Sequence, residues 1–187
     1  SHPLQFYAVT KRSNELMAHS YANLFSIPSS GMRFFTVYGP WGRPDMALFL
    51  FTKNIIEGKK INIFNQGKHF RDFTYVDDII SGIKIILDNP PTSNQGWDYL
   101  NDGPGSSYSP YEIYNIGNGD EISLLDFVKE IEECLGSKAK IELLPIQPGD
   151  VEGTLSNTNK LRNLGYKPLI GYKDGIKNFI RWYKDYY

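Results

Sequence analysis

Between residues 4 and 25, apolar positions fall at Ala8, Leu16, Met17, Tyr21 and Leu24, at helical intervals, and the spacing predicts a long helix. Pro3 suits the start of that helix, and Pro28 followed by Ser29, Ser30 and Gly31 marks its end. The pattern then changes to M-R-F-F-T-V-Y over residues 32–38, a short apolar run rich in aromatic and β-branched residues. Such a run predicts a strand buried on both faces, hence parallel and central. G-P-W-G-R-P-D, residues 39–45, reads as a rigid loop at that strand's carboxyl end, where open α/β sheets bind ligands. Beyond it the pattern gives a helix over 47–57 stopped by Gly58, a strand over 61–64 and a turn at Asn65-Gln66-Gly67. Residues 70–76 read as extended and 79–87 as a helix, with Asp77 and Asp78 at its N-terminus, where the dipole favours acids or a cap forms. Residues 90–110, rich in Pro, Gly, Ser and Asn, predict a long surface loop. A strand over 111–116, an amphipathic helix over 124–135, a strand over 141–144 and a loop over 147–150 follow. A short helix over 158–164 and a terminal helix over 172–187, with Ile176, Phe179, Ile180 and Tyr183 on one side, close the chain. Alternating strands and helices place it in the α/β class, without internal repeats or low-complexity tracts.

Composition changes this picture little. The 187 residues are 41% hydrophobic and 22% charged, ordinary values for a globular chain. A net charge of −1 gives no electrostatic footprint for nucleic acid or an anionic membrane, whereas single arginines suit local anion contacts. Cys134 is the one cysteine, so no intrachain disulfide forms and a reducing, cytoplasmic setting is expected. His2, His19 and His69 lack metal-ligand spacing, and no metal site is expected. No apolar run approaches a membrane span, and no signal sequence is expected. Ser1-His2-Pro3 runs almost at once into the first helix, which reads as a chain cut from a longer one.

The sharpest candidate chemistry is Tyr7 with Lys11, four residues apart and so on one face of the helix. A free phenol has a pKa of about 10. A nearby ammonium favours the phenolate, and the pair could then take a hydroxyl proton near neutral pH. The alternative is a solvated helix face. Gly117-Asn118-Gly119 after a strand suggests a dinucleotide loop, but Ile122 stands at the third glycine position. A tight turn and an N-cap at Ser123, with Asp126 as a partial capping box, explain it instead. Arg71 with Asp72 could be a surface ion pair, Arg43 a surface residue and Asp150 the holder of a Gly-Asp turn. Phe34 and Phe35 read as core, and Trp41 as packing.

Y-A-V-T-K, R-F-F-T-V-Y-G-P-W-G-R-P-D-M-A, R-D-F-T-Y-V-D-D-I, Y-N-I-G-N and Q-P-G-D-V, in this order, resemble the extended short-chain dehydrogenase/reductase superfamily. Within it the chain looks most like the nucleotide-sugar 4-epimerases, and specifically the UDP-glucuronate 4-epimerases. The resemblance covers essentially the whole chain. It implies the remnant of a parallel Rossmann-type sheet, a helix plus a strand, followed by a smaller α/β substrate-binding domain. Residues 1–39 would be the last piece of the NAD-binding domain and 40–187 mainly the nucleotide-sugar-binding domain. The preceding Rossmann half, its Gly-rich phosphate loop and the Ser/Thr that assists the tyrosine are then missing, and these 187 residues alone are expected to be inactive and not to bind NAD.

Residue by residue, the resemblance makes Tyr7 the catalytic base and Lys11 the residue that holds the nicotinamide ribose and acidifies the phenol. Phe34 and the backbone around Val37 would approach the nicotinamide. Thr36 and Arg43 would contact a substrate carboxylate, Arg71 the diphosphate and Asp150 the uridine ribose hydroxyls, with uracil against Ile63 and Phe64. One departure is Leu50, where many relatives carry lysine between the two phenylalanines. The implied reaction is NAD-dependent inversion at C4 of a UDP-sugar, UDP-glucuronate first, through a 4-keto sugar, in a homodimer assembled on the first helix. Two rivals stay open: a 4,6-dehydratase or decarboxylase of the same superfamily, and a stand-alone nucleotide-sugar binding module. The strand over 32–38 is expected to have lost its sheet neighbours and to pair with another chain or be shielded.

Overall fold

Helix α1 (Phe6–Phe25) follows the predicted spacing and ends at Ser26, whose left-handed backbone (φ 52°) closes it. The computed structural model describes residues 3–98 and 100–187; Ser1, His2, one of the three histidines of the no-metal expectation, and Tyr99 lie outside them. Among the described residues no group of three His, Cys, Asp or Glu could hold a metal ion, and no helix is long and apolar enough to cross a membrane.

The chain divides into two compact units. The first comprises Ser1–Arg33, Ser81–Ile116 and Thr158–Tyr166, the second Phe34–Ile80, Gly117–Asn157 and Lys167–Tyr187. The sequence boundary near Gly39 thus lies close to the first crossing, while by contacts the chain returns to the first unit twice. In that unit, β1 (Ser29–Phe34) is hydrogen-bonded to β6 (Tyr111–Ile116), and the short α5 (Asn159–Arg162) packs beside β6. Ala22, Tyr111 and Ile113 form its small core. A small residue at 22 lets the helix approach the strand, and the Tyr111 hydroxyl donates to the Glu15 carbonyl at 3.0 Å. Arg33 and Arg12 both pair with Glu15 at 2.6 Å, and Arg33 first of all holds the Glu15 carboxyl below its usual range.

In the second unit, β2 (Thr36–Tyr38) lies parallel to β5 (Phe73–Tyr75), in register Thr36↔Phe73 and Tyr38↔Tyr75. β3 (Lys60–Ile63) lies parallel to β8 (Lys140–Leu143), and β4 (Phe70–Arg71) antiparallel to β7 (Ile122–Ser123). Helices α2 (Ala47–Ile56), α4 (Leu124–Leu135) and α6 (Tyr172–Tyr186) cover these pairs. Their apolar faces share one core, in which Phe73 stacks on Phe127 with centroids 3.9 Å apart. α3 (Val76–Asp88) begins in this unit, where the buried Asp78 accepts the N–H groups of Leu169 and Ile170 at 2.9 and 3.0 Å.

The α/β class and the parallel pairing stand, and several local expectations change. The single strand over 32–38 is two, because the run changes ladder partner at Phe35. Both halves have neighbours within the chain, so the strand is not orphaned. Nor is it buried on both faces: Met32 is 40% and Phe34 49% exposed, which also takes Phe34 out of the core. α3 starts three residues earlier than predicted, so Asp77 and Asp78 sit inside its first turn. Asp78 serves a distant segment rather than a cap. Ser123 does occupy the N-cap of α4 but makes no side-chain cap hydrogen bond. Residues 89–110 carry no helix or strand among those described, as their composition predicts.

Candidate functional site

A cavity of about 530 Å³ opens in the second unit. α2 supplies an apolar wall with Leu50 and Phe51, β3 supplies Asn62, and Phe64 follows directly after the strand. Another wall is β4 and its flanks: His69, Arg71 and Phe73 alternate along the chain and all line the cavity, the period of two that one strand face requires. The residue between them, Asp72, turns to the other face and is fully buried.

Arg71 is held on three sides. One terminal nitrogen donates to the carbonyls of Phe70 and Glu152 at 2.9 and 3.1 Å, and the other pairs with Asp150 at 3.1 Å. Asp150 Oδ1 also accepts the Val151 N–H at 2.8 Å. Arg71 therefore bonds Asp150, and the pairing of Arg71 with Asp72 that adjacency suggested does not form. His69 is 4% exposed, and its Nε2 lies 3.4 Å from Asp150 Oδ2 without hydrogen-bond geometry. Burial lowers its pKa first and the Arg71 charge second, against the opposing pull of Asp150 and Glu152, so the imidazole is neutral at pH 7. The wall thus presents one fixed guanidinium, which suits an anion, and beside it a carboxylate, which suits hydroxyls.

The predicted site residues divide between the units. Thr36, Phe64 and Arg71 line the cavity, and Asp150 joins them through Arg71. Ile63 does not: its side chain is fully buried in the core, next to Phe64 on the wall. Val37 and Arg43 line a smaller pocket of about 60 Å³ with Thr36. Arg43 is clamped by Asp45, Nε to Oδ1 at 3.0 Å, and this pairing holds the exposed Asp45 carboxyl below its usual range. Trp41 is 71% exposed and sits edge-on to Tyr186 at 4.7 Å, in a surface aromatic cluster. Phe34 ends β1 half-exposed.

In the first unit, Tyr7 and Lys11 meet as their spacing predicts, with Lys11 Nζ 5.1 Å from the Tyr7 ring centroid. Tyr7 is 67% exposed. Sequence reasoning missed His69 and Asn62 at the cavity and Asp72 behind it. The alternation of 69, 71 and 73 was the available signal for His69.

The family model for the NAD dependent epimerase/dehydratase family matches residues 1–117. Protein CapI of Staphylococcus aureus is 50% identical over 187 residues, covering 100% of this chain and 56% of that protein. A probable UDP-glucuronate 4-epimerase of Rhizobium meliloti (strain 1021) is 42% identical over 192 residues, covering 99% of this chain and 55% of that protein. Among solved structures, the UDP-glucuronic acid 4-epimerase of Bacillus cereus in complex with UDP-glucuronic acid and NAD matches at a TM-score of 0.84 and 34% identity, over 100% of this chain and 55% of that one. The chain spans about half the length of the curated relatives it matches.

Proposed function

The chain belongs to the NAD dependent epimerase/dehydratase family, and from that membership we propose that the whole protein inverts C4 of a UDP-sugar, interconverting UDP-glucuronate and UDP-galacturonate. One observation carries this most: the cavity wall on which a thrice-held Arg71 stands beside Asp150, with Thr36 and Phe64 on the same lining. Relatives named as UDP-glucuronate 4-epimerases support the choice of sugar.

In this proposal Arg71 holds the diphosphate, Asp150 accepts the ribose hydroxyls, and uracil lies against Phe64 and the strand of Ile63. Thr36 and Arg43 take the sugar carboxylate, for which a hydroxyl and a guanidinium are fitting partners. Tyr7 removes the proton of the 4-hydroxyl, and the Lys11 ammonium favours the phenolate it needs. The 4-keto sugar then turns about its link to the diphosphate while the nucleotide stays anchored.

In this proposal the chain's own residues hold one end of NAD. Tyr7 and Lys11 share an exposed helix face for the nicotinamide ribose, and Phe34 and Val37 are assigned to the ring. The Gly117-Asn118-Gly119 turn offers no diphosphate cradle, because the Asn118 and Gly119 amides already donate to Asp72. Bound NAD supplies the hydride acceptor and donor for C4. Apart from Tyr7 and Thr36, which also reach the sugar, residues 1–39 are proposed to serve the cofactor and 40–187 mainly the nucleotide sugar, a division of roles rather than of contacts. The 187 residues alone are proposed neither to bind NAD nor to turn over, and calorimetry showing micromolar NAD binding would defeat that. The exposed face of α1 is proposed as a homodimer contact.

The test is incubation of the full-length protein and NAD with UDP-glucuronate, UDP-glucose and UDP-N-acetylglucosamine in parallel, reading inversion by NMR. UDP-glucuronate is expected to invert, Tyr7→Phe to lower kcat by about 100-fold or more, and Arg71→Ala to raise KM by about 10–100-fold, the loss of one charge-assisted contact. Inversion of another sugar alone would remove the substrate assignment; loss of C6 water instead of inversion would point to a dehydratase.

A further inference from the structure

Asp72 is fully buried behind the cavity wall, and donors surround its carboxylate. Oδ1 accepts the Thr74 hydroxyl at 3.1 Å and the Asn118 N–H at 2.9 Å. Oδ2 accepts the N–H groups of Gly119 and Ser156, both at 3.0 Å, and the Ser156 hydroxyl. Its main-chain carbonyl accepts the Thr36 N–H at 3.0 Å. Convergent backbone N–H groups make an anion cradle of the kind that elsewhere takes phosphate, and here a side chain of the same fold fills it. Gly117 is shaped to that carboxylate: a Cβ there would lie 2.8 Å from Asp72 Oδ2 and 2.6 Å from Ser156 Cβ.

The segment that Asp72 grips at Ser156 is the one that carries Asp150. It runs along β4, with Phe70 N–H donating to the Glu152 carbonyl at 3.0 Å and Thr154 N–H to the Phe70 carbonyl at 3.3 Å. Arg71 rests on the same Glu152 carbonyl and on Asp150. One buried carboxylate therefore ties together the strand of Arg71, the segment of Asp150, the 117–119 turn and the backbone of Thr36. We infer that Asp72 is a positioning residue for the nucleotide-sugar site: it touches no ligand, and it fixes the 150–156 segment against β4 so that Arg71 and Asp150 stay paired at the cavity wall. This rests on the proposed assignment of Arg71 and Asp150 to the nucleotide.

The test uses the full-length protein with Asp72→Asn, the milder Ser156→Ala, and Arg71→Ala as the reference. Ser156→Ala is expected to raise KM for the UDP-sugar and Kd for UDP about 3–10-fold, the loss of one hydrogen bond of several. Asp72→Asn is expected to raise both further, each variant keeping kcat within about twofold. Amide hydrogen exchange across 150–156 is expected to speed up in both, and if Asp72→Asn does not fold, Ser156→Ala decides. A fall in kcat at unchanged KM overturns the inference, as does faster exchange confined to 117–119 with UDP affinity intact. If Arg71→Ala leaves UDP binding unchanged, the nucleotide assignment fails instead, and exchange at 150–152 still decides whether Asp72 holds that segment.

Discussion

His69 carries a pH dependence whose sign follows from its surroundings. Burial and the Arg71 charge both oppose its protonation in the folded chain, with burial the larger. An unfolded histidine titrates near 6.5. The unfolded chain therefore binds the extra proton first as pH falls, and stability tied to this residue is present above about pH 6.5 and lost below it. Urea unfolding between pH 8 and 5 is expected to show a larger fall in midpoint for the natural chain than for His69→Gln. The reverse order would mean that the Asp150 carboxylate, 3.4 Å away, outweighs burial. Burial was the one term no inspection of residues 67–71 could supply. Asp72 illustrates the same limit: its donors lie at Asn118, Gly119 and Ser156, far along the chain, so its neighbour Arg71 looked like its partner. Tyr7 with Lys11 needed only helical spacing, and that contact was legible.

Helix α6 was predicted from its apolar stripe, and the structure adds why Gly175 lies within it. The Tyr38 ring crosses the helix there, and a Cβ on Gly175 would stand 2.7 Å from Tyr38 Cζ. Tyr38 is wedged edge-on among Phe73, Tyr75 and Phe127, and its burial pushes the phenol pKa up. Alanine in place of glycine ordinarily stabilises a helix by about 1 kcal/mol. Here overpacking is expected to reverse the sign, with Gly175→Ala destabilised by about 1–3 kcal/mol in chemical denaturation; a gain in stability would show that α6 slides freely off Tyr38. The helices α1, α3, α4 and α6 are legible because a period of 3.6 over twelve or more residues is a strong signal. The strand over 32–38 was misjudged because an apolar run reports burial, not which ladder each residue joins. β1 and β2 take different partners, β6 and β5, and strands of two or three residues such as β4 carry almost no periodic information.

The first unit leaves its long helix with a face that these 187 residues do not cover. Leu16, Met17, Tyr21 and Leu24, spaced to lie along one side of α1, are all between 56% and 67% exposed, while Ala22 opposite is fully buried. A contiguous apolar stripe of this kind marks a surface that another protein surface covers. A net charge of −1 adds little repulsion between copies. If α1 is where two copies meet, the substitution to make is Tyr21→Glu, which spares the buried Ala22, lies about four turns along the helix from Tyr7, and places a carboxylate in the stripe. In the full-length protein, sedimentation velocity is expected to show a dimer and Tyr21→Glu to shift it to monomer, with a rise in dissociation constant of about 100-fold, as for loss of an aromatic anchor with a charge left in its place. Because Tyr7 lies two turns and more from the stripe on the same helix, the variant also asks whether assembly supports the chemistry. A monomer that keeps kcat would confine the stripe to assembly, whereas an unchanged dimer would exclude it from the contact altogether.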